Sequence, residues 1–249
     1  MKKLKVFIIQ SDTAWKQVEK NLNKLGNICK TLNKPDLIVL PEMFTTGFDV
    51  SDSGIAEDSE GPTISWLISI SKSLNTAITG SISFRDDDGK LFNRQLVAIN
   101  GEIVHRYDKN HLFPLSDEVK LYTPGTKSSS FDLKGWKIFP QICFDLRFPV
   151  ISSKESNYDI LIYSANWPSM RINHWEVLLQ ARAIENQCFV LGCNRVGADN
   201  YNNTYNGTSM IIDPMGKVLC KGMEKECVLE FNLEKATLDQ TRKNLPFLQ

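Results

Sequence analysis

The sequence predicts an α/β fold, with strands and helices alternating towards both ends of the chain and an antiparallel section between them. Three observations predict it. Short apolar runs bounded by turn residues recur along the chain, two stretches carry apolar residues at three- and four-residue spacing, and Asp88-Gly89 and Asn100-Gly101 punctuate the middle. Spacing by three and four puts side chains on one face of a helix. Asx-Gly pairs supply the positive φ angles that tight hairpins need.

Residues 4–10 read as an opening strand. Val18, Leu22, Leu25, Cys29 and Leu32 then form the buried face of a helix that ends before Pro35. Leu37-Ile38-Val39-Leu40 is a continuous apolar run, the pattern of a strand covered on both sides. Gly61-Pro62 opens a second helix with Ile64, Leu67, Ile68 and Leu74 inward, its proline in the first turn where the missing N–H costs no bond. Residues 77–84, 91–100 and 102–106 make the antiparallel section, and 107–127 read as a charged loop. Phe131-Asp132-Leu133 pairs with 136–142 across Lys134-Gly135. Alternation resumes with a strand at 159–164, a helix at 171–187 with Trp175, Leu178, Leu179 and Ile184 facing in, and a strand at 188–194. Residues 209–213 and 217–220 pair across Pro214-Met215-Gly216, and 227–231 add a last strand.

Composition narrows the partners. The 249 residues contain no Gly/Ser linker, low-complexity tract or repeat, so one domain over 1–249 is expected. The 29 basic and 29 acidic residues balance, which argues against nucleic acid or an anionic membrane as partner and towards a small molecule. No apolar run nears the roughly 20 residues of a membrane span, and the run after Lys5 is too short for a secretory signal. A cytoplasmic protein is expected, its six cysteines reduced thiols.

Three strand-like runs end in polar residues, at Glu42, Cys143 and Asn166, and ligands of open α/β sheets bind beyond the carboxyl ends of strands. Taken singly, Glu42 reads as a carboxylate bonded to a turn, Cys143 as an inert buried thiol and Lys109 as a surface charge. Brought together they form a device for amide hydrolysis. The thiol supplies the nucleophile and the carboxylate moves protons. The ammonium, with the backbone N–H of Phe144 after the cysteine, holds an oxyanion.

The segments Leu40-Pro41-Glu42-Met43-Phe44, Tyr107-Asp108-Lys109-Asn110-His111-Leu112-Phe113 and Ile142-Cys143-Phe144-Asp145-Leu146-Arg147-Phe148-Pro149 resemble, in order, the three signature segments of the nitrilase (carbon–nitrogen hydrolase) superfamily. The likeness continues through Ser164-Ala165-Asn166-Trp167-Pro168, 180–186 and 192–197. The resemblance implies an α-β-β-α sandwich of the four-layer-forming nitrilase type, with Glu42 as general base, Lys109 as electrophilic stabiliser, Cys143 as nucleophile and Glu118 as a second, positioning glutamate. Phe144 stands where many members have tyrosine, which touches a side-chain contact and leaves the N–H intact. No metal or other cofactor is implied.

Glu42-Met43-Phe44-Thr45-Thr46-Gly47-Phe48 and the segments around Lys109 and Asn166 are most similar to the omega-amidase branch, which cleaves the terminal amide of 2-oxoglutaramate and 2-oxosuccinamate to ammonia and the 2-oxo acid through a thioester. Such a pocket needs cations for the distant carboxylate. Arg147, Arg171 and Arg195 are the candidates, each equally able to serve structure. Phe48, Asn166 and Trp167 are candidate lining residues. The resemblance further implies a homodimer, the 237–249 segment reaching the neighbour. Two alternatives stay open, an amidase or carbamoylase for another small amide and a non-catalytic binding protein on the same scaffold. A papain-like hydrolase using His105, His111 or His174 is disfavoured, because no histidine sits in a recognisable cysteine-protease setting.

Overall fold

The computed structural model describes residues 2–127, 129–149 and 158–248. The first sheet gathers β1 (Lys3–Gln10), β2 (Leu37–Val39), β3 (Ala77–Arg85), β4 (Leu91–Ile99) and β5 (Glu102–Asp108). The second is built from β6 (Phe131–Leu133), β7 (Trp136–Ile142), β8 (Ile160–Ala165) and β9 (Phe189–Asn194). A small ribbon, β10 (Val196–Ala198) with β11 (Thr204–Asn206), precedes β12 (Met210–Ile212) and β13 (Val218–Lys221), which join the second sheet. The last strand, β14 (Cys227–Glu234), returns to the first sheet beside β1.

The strand orders are β14-β1-β2-β3-β4-β5 and β13-β12-β9-β8-β7-β6. Each sheet has a parallel centre, β1-β2-β3 in one and β7-β8-β9 in the other, flanked by antiparallel strands. At the β4–β5 turn Asn100 and Gly101 take φ of 51° and 95°, the left-handed pair anticipated for that hairpin.

Alternation within the strands determines the layers. Leu4, Val6 and Ile8 of β1 face Ile160 and Ile162 of β8, with Leu191 and Ile211, in the core between the sheets. The opposite faces take helices. Ile38, Ile78 and Ile82 pack under α1 (Val18–Thr31) and α2 (Pro62–Leu74), whereas Leu161, Tyr163 and Val190 pack under α4 (Ile172–Asn186). The result is a four-layer α-β-β-α sandwich.

Several sequence expectations shift. The 107–127 loop contains a short helix, α3 (Glu118–Leu121), and its first two residues continue β5. On α4, Trp175 and Leu179 are buried, Leu178 is half-buried and Ile184 is 55% exposed, so the inward face is narrower than expected. At the 237–249 segment, helix α5 (Lys235–Asn244) packs on its own chain. Leu238 is buried between the sheets, and Arg242 donates to the carbonyls of Gln187 and Tyr158. Gln249, the end of that segment, lies outside the described residues.

Candidate active site

Glu42 follows β2, Cys143 follows β7 and Asn166 follows β8, all at carboxyl ends of parallel strands. Ser164 Oγ donates to Leu40 O at 2.8 Å and joins the two sheets just behind them. Beyond this seam lies a cavity of about 610 Å³ walled by Glu42, Lys109, Cys143 and Asn166. That size suits a small molecule.

Cys143 heads a 3-10 turn over Cys143–Arg147 and takes φ of 43°. Left-handed backbone is unusual for a side chain with a Cβ and persists only where its surroundings hold it. The thiol Sγ lies 3.9 Å from Asn166 O, and the Glu42 carboxylate is among the groups that act on it electrostatically. Burial, reinforced by that carboxylate, pushes the thiol pKa well above its ordinary value, against the opposing pull of Lys109. The resting group is therefore a thiol with a base beside it.

Lys109, the first residue after β5, is fully buried and tightly partnered. Its Nζ lies 2.9 Å from Glu42 Oε1 and 3.0 and 2.9 Å from the two oxygens of Glu118. Burial alone would favour the neutral amine, but Glu118 and Glu42 outweigh it and raise the pKa, so the group stays an ammonium. Burial raises the Glu118 pKa despite Lys109. Glu118 stands behind the lysine rather than on the cavity wall, and its Oε2 also accepts from Phe113 N at 2.6 Å.

Asn93 was not singled out from the sequence, yet its Nδ2 donates to both Glu42 Oε1 and Glu118 Oε1, at 2.8 and 2.9 Å. Ser81 Oγ donates to Asn93 Oδ1 and receives Met43 N. The signal was a polar residue in the inward row of β4, between Leu91 and Val97. Asn166 fixes the other oxygen of Glu42: its backbone N reaches Oε2 at 2.9 Å, and its side chain holds Glu42 O at 2.7 Å.

At the mouth the walls change. Arg147 stacks over Trp167 with 5.0 Å from its guanidinium carbon to the ring, and its Nη2 donates to His174 Nδ1 at 3.1 Å. Arg171 lies over Phe113 at 5.4 Å. Both line the cavity, and among the described residues neither pairs with a carboxylate. Partial burial, with Arg171 nearby, lowers the Arg147 pKa. Phe48, Phe144 and Trp167 also line the cavity, Phe48 with its ring 5.1 Å from Lys109 Nζ.

Arg195 is the exception among the expected site residues. It is fully buried away from the cavity wall, donating to Asp12 Oδ1, Thr13 O, Val196 O and Ala198 O and packing over Tyr205. Asp12 and three backbone carbonyls take Nε and Nη2, so the guanidinium secures the β9–β10 corner; its Nη1, also buried, has no hydrogen-bond partner among the described residues and lies off the cavity wall. Tyr201 and Tyr205, around the β10–β11 ribbon, line the wall instead and were not anticipated.

The arrangement can activate a thiol, stabilise an oxyanion with a fixed cation and bind an anion at the mouth. Comparison with known proteins agrees with it. Residues 5–243 match the model of the family described as carbon-nitrogen hydrolase. The chain is 39% identical over 249 residues to the omega-amidase YafV of Yersinia enterocolitica, covering 99% of this chain and 96% of that one. It is 35% identical over 243 residues to the 2-oxoglutaramate amidase of Bacillus subtilis, covering 96% and 93%. The fold superposes on the CN-hydrolase superfamily protein XC1258 of Xanthomonas campestris, which carries an arsenic adduct in its active site, with a TM-score of 0.96 at 38% identity, covering 100% and 97% of the two chains. The nitrilase-superfamily member Nit3 of Saccharomyces cerevisiae shares the fold at a TM-score of 0.89 and 24% identity, over 99% and 96%. This chain belongs to the carbon-nitrogen hydrolase family.

Proposed function

We propose that this protein is an omega-amidase, hydrolysing the terminal amide of 2-oxo-dicarboxylic acid monoamides such as 2-oxoglutaramate and 2-oxosuccinamate to ammonia and the 2-oxo acid. The observation that carries the reading is the pair Arg147 and Arg171, cations without a carboxylate partner among the described residues, on the wall of the cavity that holds Cys143, Lys109 and Glu42. Buried or half-buried cations without counter-ions are costly, and a ligand carboxylate answers that cost. The identity to an omega-amidase and a 2-oxoglutaramate amidase over nearly full length supports the same substrate class.

The chemistry follows from the distances. Glu42 takes the thiol proton as Cys143 Sγ attacks the amide carbon, so no resting thiolate is needed. The oxyanion lies against Lys109 Nζ and the N–H of Phe144, the second residue of the 3-10 turn, whose first-turn N–H has no earlier helical acceptor. Glu42 returns the proton to nitrogen, the C–N bond breaks and ammonia leaves. The thioester then yields to a water whose proton Glu42 takes, and sulfur departs to be reprotonated. Glu118 and Asn93 hold Lys109 and Glu42 in place throughout.

We take the working form to be a cytoplasmic homodimer, for which the exposed apolar side chains Val177 and Ile184 of α4 offer a surface. Sedimentation as a stable monomer would remove that part. The test of function is ammonia release from 2-oxoglutaramate and 2-oxosuccinamate beside glutamine, asparagine and a simple nitrile, with Cys143→Ala as control. Activity on the oxo-acid amides alone, lowered at least about 10⁴-fold in the variant, is the expected result. Equal activity on glutamine, or none on the oxo-acid amides, refutes the assignment.

A further inference from the structure

Asp145 is a fully buried carboxylate with no lysine or arginine partner among the described residues. A charge so placed is expensive unless its lone pairs are met by donors. They are met from two separate segments. On one side Oδ2 accepts from Ile142 N, the residue before Cys143, at 3.1 Å. On the other it accepts from Tyr107 Oη at 2.7 Å, while Oδ1 accepts from His111 N at 2.9 Å and faces His111 Nδ1 at 3.1 Å. The carboxylate can only accept, so the His111 proton sits on Nδ1.

Tyr107 and His111 bracket Lys109 by two residues on either side. Lys109 extends from β5 of one sheet and Cys143 from β7 of the other. Asp145 is thus a pin between the lysine segment and the nucleophile turn. An aromatic seam runs alongside: His111 stacks on Phe148 at 3.6 Å and 6°, Phe148 meets Phe144 edge-on at 5.4 Å, and Phe144 meets Phe113 at 5.4 Å. Arg182 of α4 holds the same turn from behind, donating to Leu146 O at 2.6 Å.

We infer that Asp145 is a positioning residue for the reaction, holding the strained turn at Cys143 in register with Lys109; the inference rests on the roles proposed above for those two residues. It touches neither thiol nor ammonium and acts through the Ile142 and His111 backbone. Its removal lets the φ of 43° at Cys143 relax and moves the thiol and the Phe144 N–H away from the ammonium. Misplacement of reacting groups by about 1 Å costs on the order of 10²-fold in rate.

Asp145→Asn tests this with nearly unchanged volume. Whichever way the amide turns, its NH₂ faces a backbone N–H, that of Ile142 or that of His111. The expected result is a kcat lower by about 10²-fold with KM unchanged within threefold. Cys143 should also be alkylated by iodoacetamide at least tenfold more slowly, while Cys29, Cys188 and Cys193 stay unlabelled. A kcat and alkylation rate within threefold of the parent, with those thiols still protected, would overturn it. If the buried thiols of Asp145→Asn become labelled, the packing has failed and Tyr107→Phe decides. Loss of that one donor should lower kcat about tenfold with KM held, and an unchanged kcat overturns the inference. In the parent, selective alkylation of Cys143 without turnover of oxo-acid amides would count against the substrate and leave the alkylation comparison to judge Asp145.

Discussion

At the base of the cavity Lys109 and Glu42 are paired on every side, whereas at its mouth Arg147 and Arg171 face the cavity over aromatic rings with no carboxylate partner among the described residues. On the mechanism proposed above, the difference separates chemistry from recognition. Groups that move protons and hold an oxyanion must be fixed before substrate arrives, because reorganisation during reaction raises the barrier. Groups that bind a substrate anion must instead be left incomplete, so that the ligand supplies the missing partner. Arg195 sharpens the contrast: a guanidinium held at Nε and Nη2 by Asp12 and backbone carbonyls, away from the cavity wall, serves the fold.

The largest effect should come from the base. Glu42→Gln removes the proton acceptor and keeps the shape, so kcat should fall by about 10²–10⁴-fold, read as ammonia release. Residual alkylation of Cys143 should then climb with pH beyond 9, since burial keeps that thiol protonated. A variant with unimpaired turnover would mean that another group takes the proton.

The mouth should respond differently. Arg147→Ala and Arg171→Ala each remove a charge-assisted bond worth about 1.5–3 kcal/mol, so KM for an oxo-acid amide should rise roughly 10- to 150-fold, with kcat changing much less. A fall in kcat at constant KM would place these arginines with the base and break the comparison.

Arg195→Ala is the smallest effect on catalysis and a test of what a paired guanidinium does. KM should stay within threefold, while thermal unfolding should shift down by a few degrees for a loss of about 1–3 kcal/mol. A rise in KM matching that of Arg147→Ala would return Arg195 to the site.

The two regions also differed in how far the sequence disclosed them. Glu42, Lys109 and Cys143 were legible because each stands in a distinctive segment at a strand end. Asn93 and Ser81 were not. The run Ala77-Ile78-Thr79-Gly80-Ser81-Ile82-Ser83-Phe84 alternates like a strand with one wet face, yet Thr79, Ser81 and Ser83 are as buried as Ile78 and Ile82. Polar residues that line a site imitate solvent-facing ones, because a period of two reports faces and not what covers them. The arginines were ambiguous for a related reason. Whether a guanidinium is paired depends on Asp12 and the carbonyls near Val196, and Asp12 lies far away in sequence. Helix α5 escaped notice because its few apolar residues give little periodicity, although Leu238 anchors it between the sheets.

The measurement that bears most directly on the division between base and mouth compares 2-oxoglutaramate with its uncharged methyl ester, in the parent and in Arg147→Ala/Arg171→Ala. The parent should favour the free carboxylate at least about 10²-fold in kcat/KM, and the double variant should lose most of that preference while keeping its activity on the ester. Equal use of both compounds by the parent, or a preference that survives removal of both arginines, would contradict the account.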